Sequence, residues 1–322
     1  MTAQPPPSLR PQTLRLSLTD RCNLRCRYCM PAKGVAFIPH SQLPSLEELA
    51  QAVAFLVQHL RVNRVKLTGG EPLVRKGVVE LVAMLAGLSG IEEVSMTTNG
   101  TRLAVLAAEL KAAGLSRVNV SLDTLNPERF RELTRGGDVR EVLAGIAAAQ
   151  REGLLPVKLN AVLRASSFRE DVPELVAYAC AQKLELRFIE LMRTGTEAAW
   201  AEREYVSAQK VQAFLAQQGE LIPLVGQTNG PARRTLFRFS GGEVLLGWIT
   251  PVSHSFCDAC NRLRLDAQGR LRRCLMDPYT VPLVALLRQG EEKAVAELWP
   301  YLADKRPPAA MQSQLPMSAV GG

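Results

Sequence analysis

Aromatic side chains are scarce in this 322-residue chain, at 5%, and no basic stripe interleaves with them. Proteins that grip nucleic acids use rings as stacking platforms, so a nucleic-acid partner has little support. No apolar run approaches the ~20 residues needed to cross a bilayer, which argues against a membrane span. The opening MTAQPPPSLRPQT has no charged segment leading into an apolar one. No secretion signal is therefore expected, and a cytoplasmic protein follows as the expectation. Cysteine is sparse too. The count is seven, an odd number, and too thin for a secreted disulfide framework.

What is present allows a substantial core, since 47% of residues are hydrophobic. The length suits one large α/β domain with extensions, or two domains. Lys and Arg outnumber Asp and Glu by 39 to 31, a formal charge of +8. That balance favours an anionic partner, such as a phosphorylated small molecule.

Short apolar runs alternate with longer helical patterns. Strands are expected at 14–18, 64–67, 93–98, 117–122, 157–163 and 184–191, with helices near 45–60, 77–88, 101–113, 139–152 and 171–182. Ser45 followed by Glu48 is a capping box for the first helix. Polar signals fall at the ends of successive strands: TGGEP after the second, TTNG after the third, SLD after the fourth. That distribution favours a partial (β/α)6 barrel over an open doubly wound sheet. Beyond 195 the rhythm changes to a helix near 205–218, two β-hairpins and two helices near 281–304. The expected division is a flexible tail at 1–12, a barrel at 13–195, a C-terminal region at 196–305 that closes the barrel mouth, and a flexible tail at 306–322.

Six of the seven cysteines form two groups. Cys22, Cys26 and Cys29 are spaced C-x3-C-x2-C, and Cys257, Cys260 and Cys274 are spaced C-x2-C-x13-C. Thiolates suit zinc or iron–sulfur. A closed site wants four protein ligands, so three leave one metal position open. For the first trio, zinc would need a further donor, and the nearest histidine is His40. For the second, His254 makes a Cys3His zinc knuckle an open alternative. Cys180, in LVAYACAQ, reads as a small buried hydrophobe.

In context, SLTDRCNLRCRYCMP followed by TGGEP resembles the radical S-adenosylmethionine enzymes. There the trio holds a 4Fe–4S cluster whose open iron is chelated by S-adenosylmethionine. The segment ITPVSHSFCDACNRLRL and the Gly-Gly ending narrow the resemblance to the GTP 3′,8-cyclase family of molybdenum cofactor biosynthesis, over Leu14 to Gly322. Trp248 in LGWITP departs from that family's smaller aromatic and reads as packing. The resemblance implies two 4Fe–4S clusters and S-adenosylmethionine as cofactors. It implies S-adenosylmethionine contacts at Tyr28, Gly70, Ser121 and Met192. It places GTP contacts at Arg15, Lys66, Thr97, Lys158, Arg262, Leu263 and Arg264, and catalytic roles at Arg187, Arg262, Arg264, Gly321 and Gly322.

The implied reaction is the cyclisation of GTP to 3′,8-cyclo-7,8-dihydro-GTP. A cationic strand residue is costly to bury without a ligand or partner, which agrees with a triphosphate near Arg15, Lys66 and Lys158. The implied partners are an electron donor such as flavodoxin or ferredoxin and a downstream cyclic pyranopterin monophosphate synthase, with a homodimer admissible. Three other readings compete: a radical enzyme modifying a peptide, an electron-transfer or zinc protein without enzymatic activity, and a nucleic-acid modifying enzyme.

Overall fold

The computed structural model describes residues 13–192, 197–226, 230–254 and 260–303. Its backbone is six β/α units followed by a C-terminal set of strands and helices. The first strands are β1 (Thr13–Ser17), β2 (Arg64–Thr68), β3 (Glu93–Thr98), β4 (Arg117–Ser121), β5 (Lys158–Val162) and β6 (Glu185–Ile189). They pair in sequence order, each parallel to the next. Right-handed crossovers between successive neighbours put every connecting helix on one face of the sheet.

Those helices are α1 (Leu46–Leu60), α2 (Val78–Ala86), α3 (Leu103–Ala112), α4 (Pro127–Thr134), α5 (Val139–Arg151) and α6 (Phe168–Ala181). Helix α1 opens on Ser45, which accepts from the Glu48 N–H while the Glu48 carboxylate accepts from the Ser45 N–H. Helix α4 was not expected from periodicity, because its apolar content is low. Its start is nonetheless marked by Asn126, which accepts from Glu128 and Arg129, ahead of Pro127 at the first position.

Leu14, Leu16, Val65, Leu67, Val94, Met96, Val118, Val120, Leu186 and Phe188 alternate along the strands and join one buried cluster under the helices. Alternation sends the residues between them to the opposite, interior face. Charges that meet on that face show that it is curved. Lys66 on β2 feels the charge of Arg187 on β6, whereas a flat sheet would hold strands four places apart at about 19 Å. The chain thus forms the expected partial (β/α)6 barrel.

The C-terminal region extends both edges of that barrel. Its strands are β7 (Gly219–Pro223), β8 (Arg233–Phe239), β9 (Gly242–Ile249), β10 (Arg262–Leu265) and β11 (Leu271–Arg272). The meander β7–β8–β9 is antiparallel within itself and joins β6 through β9, in parallel. The hairpin β10–β11 joins β1 through β10, also in parallel. Helices α7 (Ala198–Glu204), α8 (Ala208–Leu215), α9 (Leu283–Leu287) and α10 (Glu291–Ala303) complete the region. No helix among the described residues is long and apolar enough to cross a membrane. Cys180 packs half-buried against the core, its thiol near the Gly241 and Glu243 carbonyls.

Trp248 seals the joint between β9 and the barrel. Its ring lies 5.3 Å from Phe188 at 32°, and its indole N–H donates to Thr235 Oγ1 at 3.1 Å. Truncation to Trp248→Ala is expected to cost about 3–5 kcal/mol, read as a lower urea midpoint with the unfolding slope unchanged.

Candidate active site

The interior face is cationic. In register, Arg264, Arg15, Lys66, Ser95 and Arg117 form one row across five strands. A second row runs Thr97, Asn119, Lys158, Glu185, and a third Ser121, Asn160, Arg187, Gly247. Gly247 gives Arg187 its space, since a Cβ there would stand 2.9 Å from Arg187 Cγ. Arg262 and Arg64 share a further row with Thr13 and Glu93, so among the described residues the strand cations of this face outnumber its carboxylates, Glu93 and Glu185. Glu93 takes Arg117 at 2.7 and 3.0 Å. Glu185 is shared by Lys158 at 2.7 Å and Arg187 at 2.6 Å.

This crowding shows in protonation. Burial, with the nearby charge of Arg262, lowers the Arg15 guanidinium to about 10. Burial, then the charges of Arg117, Arg15 and Arg187, hold the Lys66 ammonium well below the usual lysine range. Arg264 is pushed down by burial and by Arg15 and Arg262. Desolvated like charges repel strongly, so the face is built for a ligand carrying several negative charges.

The first cysteine trio lies on the loop after β1. Several N–H groups point at the Cys22 sulfur, among them Leu24 N at 3.4 Å and Asn99 Nδ2 at 3.8 Å, with the Asn23 backbone beside them. Burial pushes the Cys22 thiol up to about 11. Burial, followed by the charges of Cys29, Asp123 and Cys22, holds the Cys26 thiol well above its usual range. Neutral thiols are the form this pocket favours by itself, and a cationic group bound to the sulfurs would offset that penalty on the thiolates. Among the described residues no three Cys, His, Asp or Glu side chains converge on a single ion. Three thiolates carried on one loop fit a polynuclear iron–sulfur group, whose thiolates bind separate irons.

TGGEP lies directly beneath this loop. Gly70 N donates to the Thr19 carbonyl at 2.7 Å and Glu71 N to the Arg21 carbonyl at 2.8 Å. A Cβ at Gly70 would meet the Arg21 carbonyl oxygen at 2.3 Å, so the glycine is required here by the loop that leads into Cys22. The buried Glu71 carboxylate accepts from Leu73 N, Thr98 Oγ1 and Asn99 N at 3.0, 2.7 and 2.7 Å. Burial raises its pKa to about 7. Tyr28 is held by its hydroxyl, which donates to Asp123 Oδ2 at 2.7 Å, and Asp123 Oδ1 accepts from Val162 N at 2.7 Å.

Two members of the second trio, Cys260 and Cys274, flank the hairpin that joins β1. Cys260 precedes β10, Cys274 follows β11, and both influence Arg264 electrostatically. Cys257 lies outside the described residues. Below Cys274 the buried Arg273 bonds Asp277 Oδ2 at 2.8 Å and the Tyr301 carbonyl at 3.0 Å, so α10 braces the loop. Both ring nitrogens of His254 face Arg233 Nη2, at 2.9 and 2.8 Å. A zinc ion could take His254 only by displacing that guanidinium, which weighs against the knuckle.

Glu190, at the end of β6, is 1% exposed. Its Oε1 accepts from Ala208 N at 3.0 Å and Ser253 Oγ at 2.6 Å, and its Oε2 from Val252 N at 3.2 Å and Ser253 N at 2.8 Å. The barrel is thereby tied to α8 and to the segment that leads toward the second trio.

Of the residues expected to act, Arg15, Lys66, Thr97, Ser121, Lys158, Arg187, Arg262 and Arg264 share the interior face. Met192 follows β6, beyond its last residue, Ile189. The Leu263 side chain points the other way, wholly buried in the core, which leaves only its backbone for a nucleotide. Gly321 and Gly322 lie outside the described residues. Sequence reasoning did not single out Arg117, Glu93, Glu185, Glu71, Asn99, Asp123 or Glu190. Arg117, Glu93 and Glu185 share strand parity with the expected cations, a signal that was available. The others act through bonds to distant segments.

Residues 16–179 match the radical SAM superfamily, and residues 184–311 match the family called Molybdenum Cofactor Synthesis C. The chain is 47% identical over 278 residues to the GTP 3′,8-cyclase of Moorella thermoacetica, covering 86% of this chain and 85% of that protein. It is 46% identical over 276 residues to GTP 3′,8-cyclase 1 of Pseudomonas aeruginosa, covering 86% and 83%. Among solved structures, HydG, a maturase of the FeFe-hydrogenase, superposes with a TM-score of 0.52 at 15% identity, covering 63% of this chain and 48% of HydG. That likeness concerns the fold.

Two outcomes are expected. Gly70→Ala should displace the loop before Cys22, and iron retained after anaerobic reconstitution should fall by about half, from about eight per chain toward four. For Glu71 the folded pKa of about 7 exceeds the usual 4.5, so its contribution is complete below pH 4.5 and lost as pH rises through 7. In urea titrations of the metal-free chain, Glu71→Gln should remove up to about 3 kcal/mol of that decline.

Proposed function

The chain belongs to the radical S-adenosylmethionine superfamily and, within it, to the GTP 3′,8-cyclase family, and from that we infer that it converts GTP to (8S)-3′,8-cyclo-7,8-dihydroguanosine 5′-triphosphate, the first step of molybdenum cofactor biosynthesis. Its cofactors are two 4Fe–4S clusters and S-adenosylmethionine. The observation that carries the substrate assignment is the row of cations that the register brings together on the interior face, Arg264, Arg15, Lys66 and Arg117, where burial and then the charges of Arg117, Arg15 and Arg187 hold Lys66 well below the usual lysine range. Such crowding is relieved when a triphosphate supplies the missing charge.

Cys22, Cys26 and Cys29 would hold one cluster, and Cys257, Cys260 and Cys274 the other. When bound, the first cluster and S-adenosylmethionine supply hydrogen-atom abstraction, by one-electron cleavage of the sulfonium. The protein's share is placement. Tyr28, anchored by Asp123, with Gly70, Ser121 and Met192, would seat S-adenosylmethionine at the carboxyl ends of the strands. Arg15, Lys66, Thr97, Lys158 and the backbone of Leu263 would hold the nucleotide, with Arg117 as an additional cation in the same row. Arg262 and Arg264 have the same parity on β10, beside the second trio. They would fix the nucleotide where its ribose and base must fold together. Arg187, Gly321 and Gly322 are assigned to the catalytic group on the family pattern. An electron donor such as flavodoxin or ferredoxin and a downstream cyclic pyranopterin monophosphate synthase complete the reading.

Anaerobic reconstitution with iron, sulfide and a reductant, followed by S-adenosylmethionine and GTP, is expected to yield 5′-deoxyadenosine and an acid-labile pterin precursor. Lys66→Ala should raise the KM for GTP about tenfold or more, since a bond to a charged group contributes ~1.5–3 kcal/mol. Cleavage of S-adenosylmethionine with GTP recovered unchanged would instead favour a radical enzyme acting on a peptide.

A further inference from the structure

Asn99 follows β3 in TTNG, and its side-chain orientation is fully determined. Its Oδ1 accepts twice from Thr101, from N at 3.1 Å and Oγ1 at 2.8 Å. Its Nδ2 therefore faces the other way, donating to Asn23 Oδ1 at 2.9 Å and toward Cys22 Sγ at 3.8 Å. The ring closes on itself, because Asn23 Nδ2 donates to Thr101 Oγ1 at 2.9 Å. Below, the Asn99 backbone N–H is held by the buried Glu71 carboxylate at 2.7 Å. Four side chains and a strand end are thus spent on aiming one amide N–H at one sulfur.

We propose that Asn99 is a redox-positioning residue for the first cysteine trio, its amide donating to Cys22 so that the bound cluster accepts an electron more readily. The inference rests on the cluster reading above. Reduction adds negative charge that is shared with the ligand sulfurs, and an N–H dipole aimed at a sulfur stabilises the charge-rich form. The reduction potential therefore rises with the donor and falls without it. Cys22 keeps its backbone donors, at Leu24 and Asn23, in every variant, so the shift isolates the side chain. Thr101 acts one step back: without its hydroxyl the Asn99 Oδ1 loses one of the two donors that orient it.

The test is a reductive titration of the full chain, followed by the EPR signal of the first cluster. Cys260→Ala and Cys274→Ala silence the second. Asn99→Leu, apolar and close in size, should lower the midpoint potential with iron unchanged at about four per chain. Asn99→Asp, which brings a carboxylate to the same sulfur, should lower it further. Thr101→Val should give a smaller shift of the same sign. An unshifted potential in Asn99→Leu, with the cluster fully loaded, overturns the proposal. So does loss of iron with the remaining cluster at the parental potential, which would make Asn99 a purely structural residue. A parent chain that shows no reducible cluster at the first trio refutes the cluster reading itself, and the inference with it.

Discussion

Positive charge confined on the concave side of a curved sheet is the constraint around which this protein is organised. Among the described residues the inward-facing strand cations outnumber the carboxylates that answer them, Glu93 and Glu185, and burial removes the water that would screen the rest. A hydrophobic core does not permit such a surface unless something holds the strands in place against the repulsion. That holding comes from the other face. There Leu14, Leu16, Val65, Leu67, Leu186 and Phe188 pack without exposure under the helices, and burial of this kind contributes about 1.5–3 kcal/mol per side chain. The alternation of the strand separates the two tasks residue by residue: one side binds the fold together, the next is kept polar for a ligand.

Three buried carboxylates carry this arrangement to the strand ends. Glu71 follows β2 and accepts from Asn99, just past β3. Asp123 follows β4 and accepts from Val162 on β5 and from Tyr28 in the cysteine loop. Glu190 follows β6 and accepts from Val252 and Ser253, past β9. Each reaches from one strand end to a segment leaving a neighbouring strand. The loops at the carboxyl ends, where irregular backbone must carry chemistry, are thus tied by ionisable acceptors instead of by packing. Carboxylates suit this because each can accept several N–H donors at once.

What the sequence makes legible follows from how local each signal is. The Ser45–Glu48 box, the six strand periods and the C-x3-C-x2-C spacing are all contained in a few residues. Arg15, Lys66 and Lys158 are visible because a cation between apolar strand neighbours is conspicuous. Arg117 has the same pattern but reads equally as a solvent-facing residue until Glu93 and Lys66 are seen beside it. Asp123 and Glu190 are illegible for a stronger reason: their partners lie 39 and 63 positions away, and no local rule connects them. The pairing of β10 with β1 is hidden in the same way. Alternation shows that RLRL is a strand, but not which edge it joins.

That last pairing bears on how the chain is made. Strand β1 lies near the amino terminus, and its neighbour β10 is hydrogen-bonded to it in parallel from Thr13 to Leu16. The two are about 250 positions apart, and contacts of such range close late. During synthesis β1 has β2 on one side and nothing on the other until almost the whole polypeptide has left the ribosome. An uncovered parallel edge is a template for wrong partners. The loop that will carry the first metal group departs from that same strand. Maturation of the protein thus has a built-in order, in which the last hairpin must dock before the earliest strand is safe from association with its neighbours.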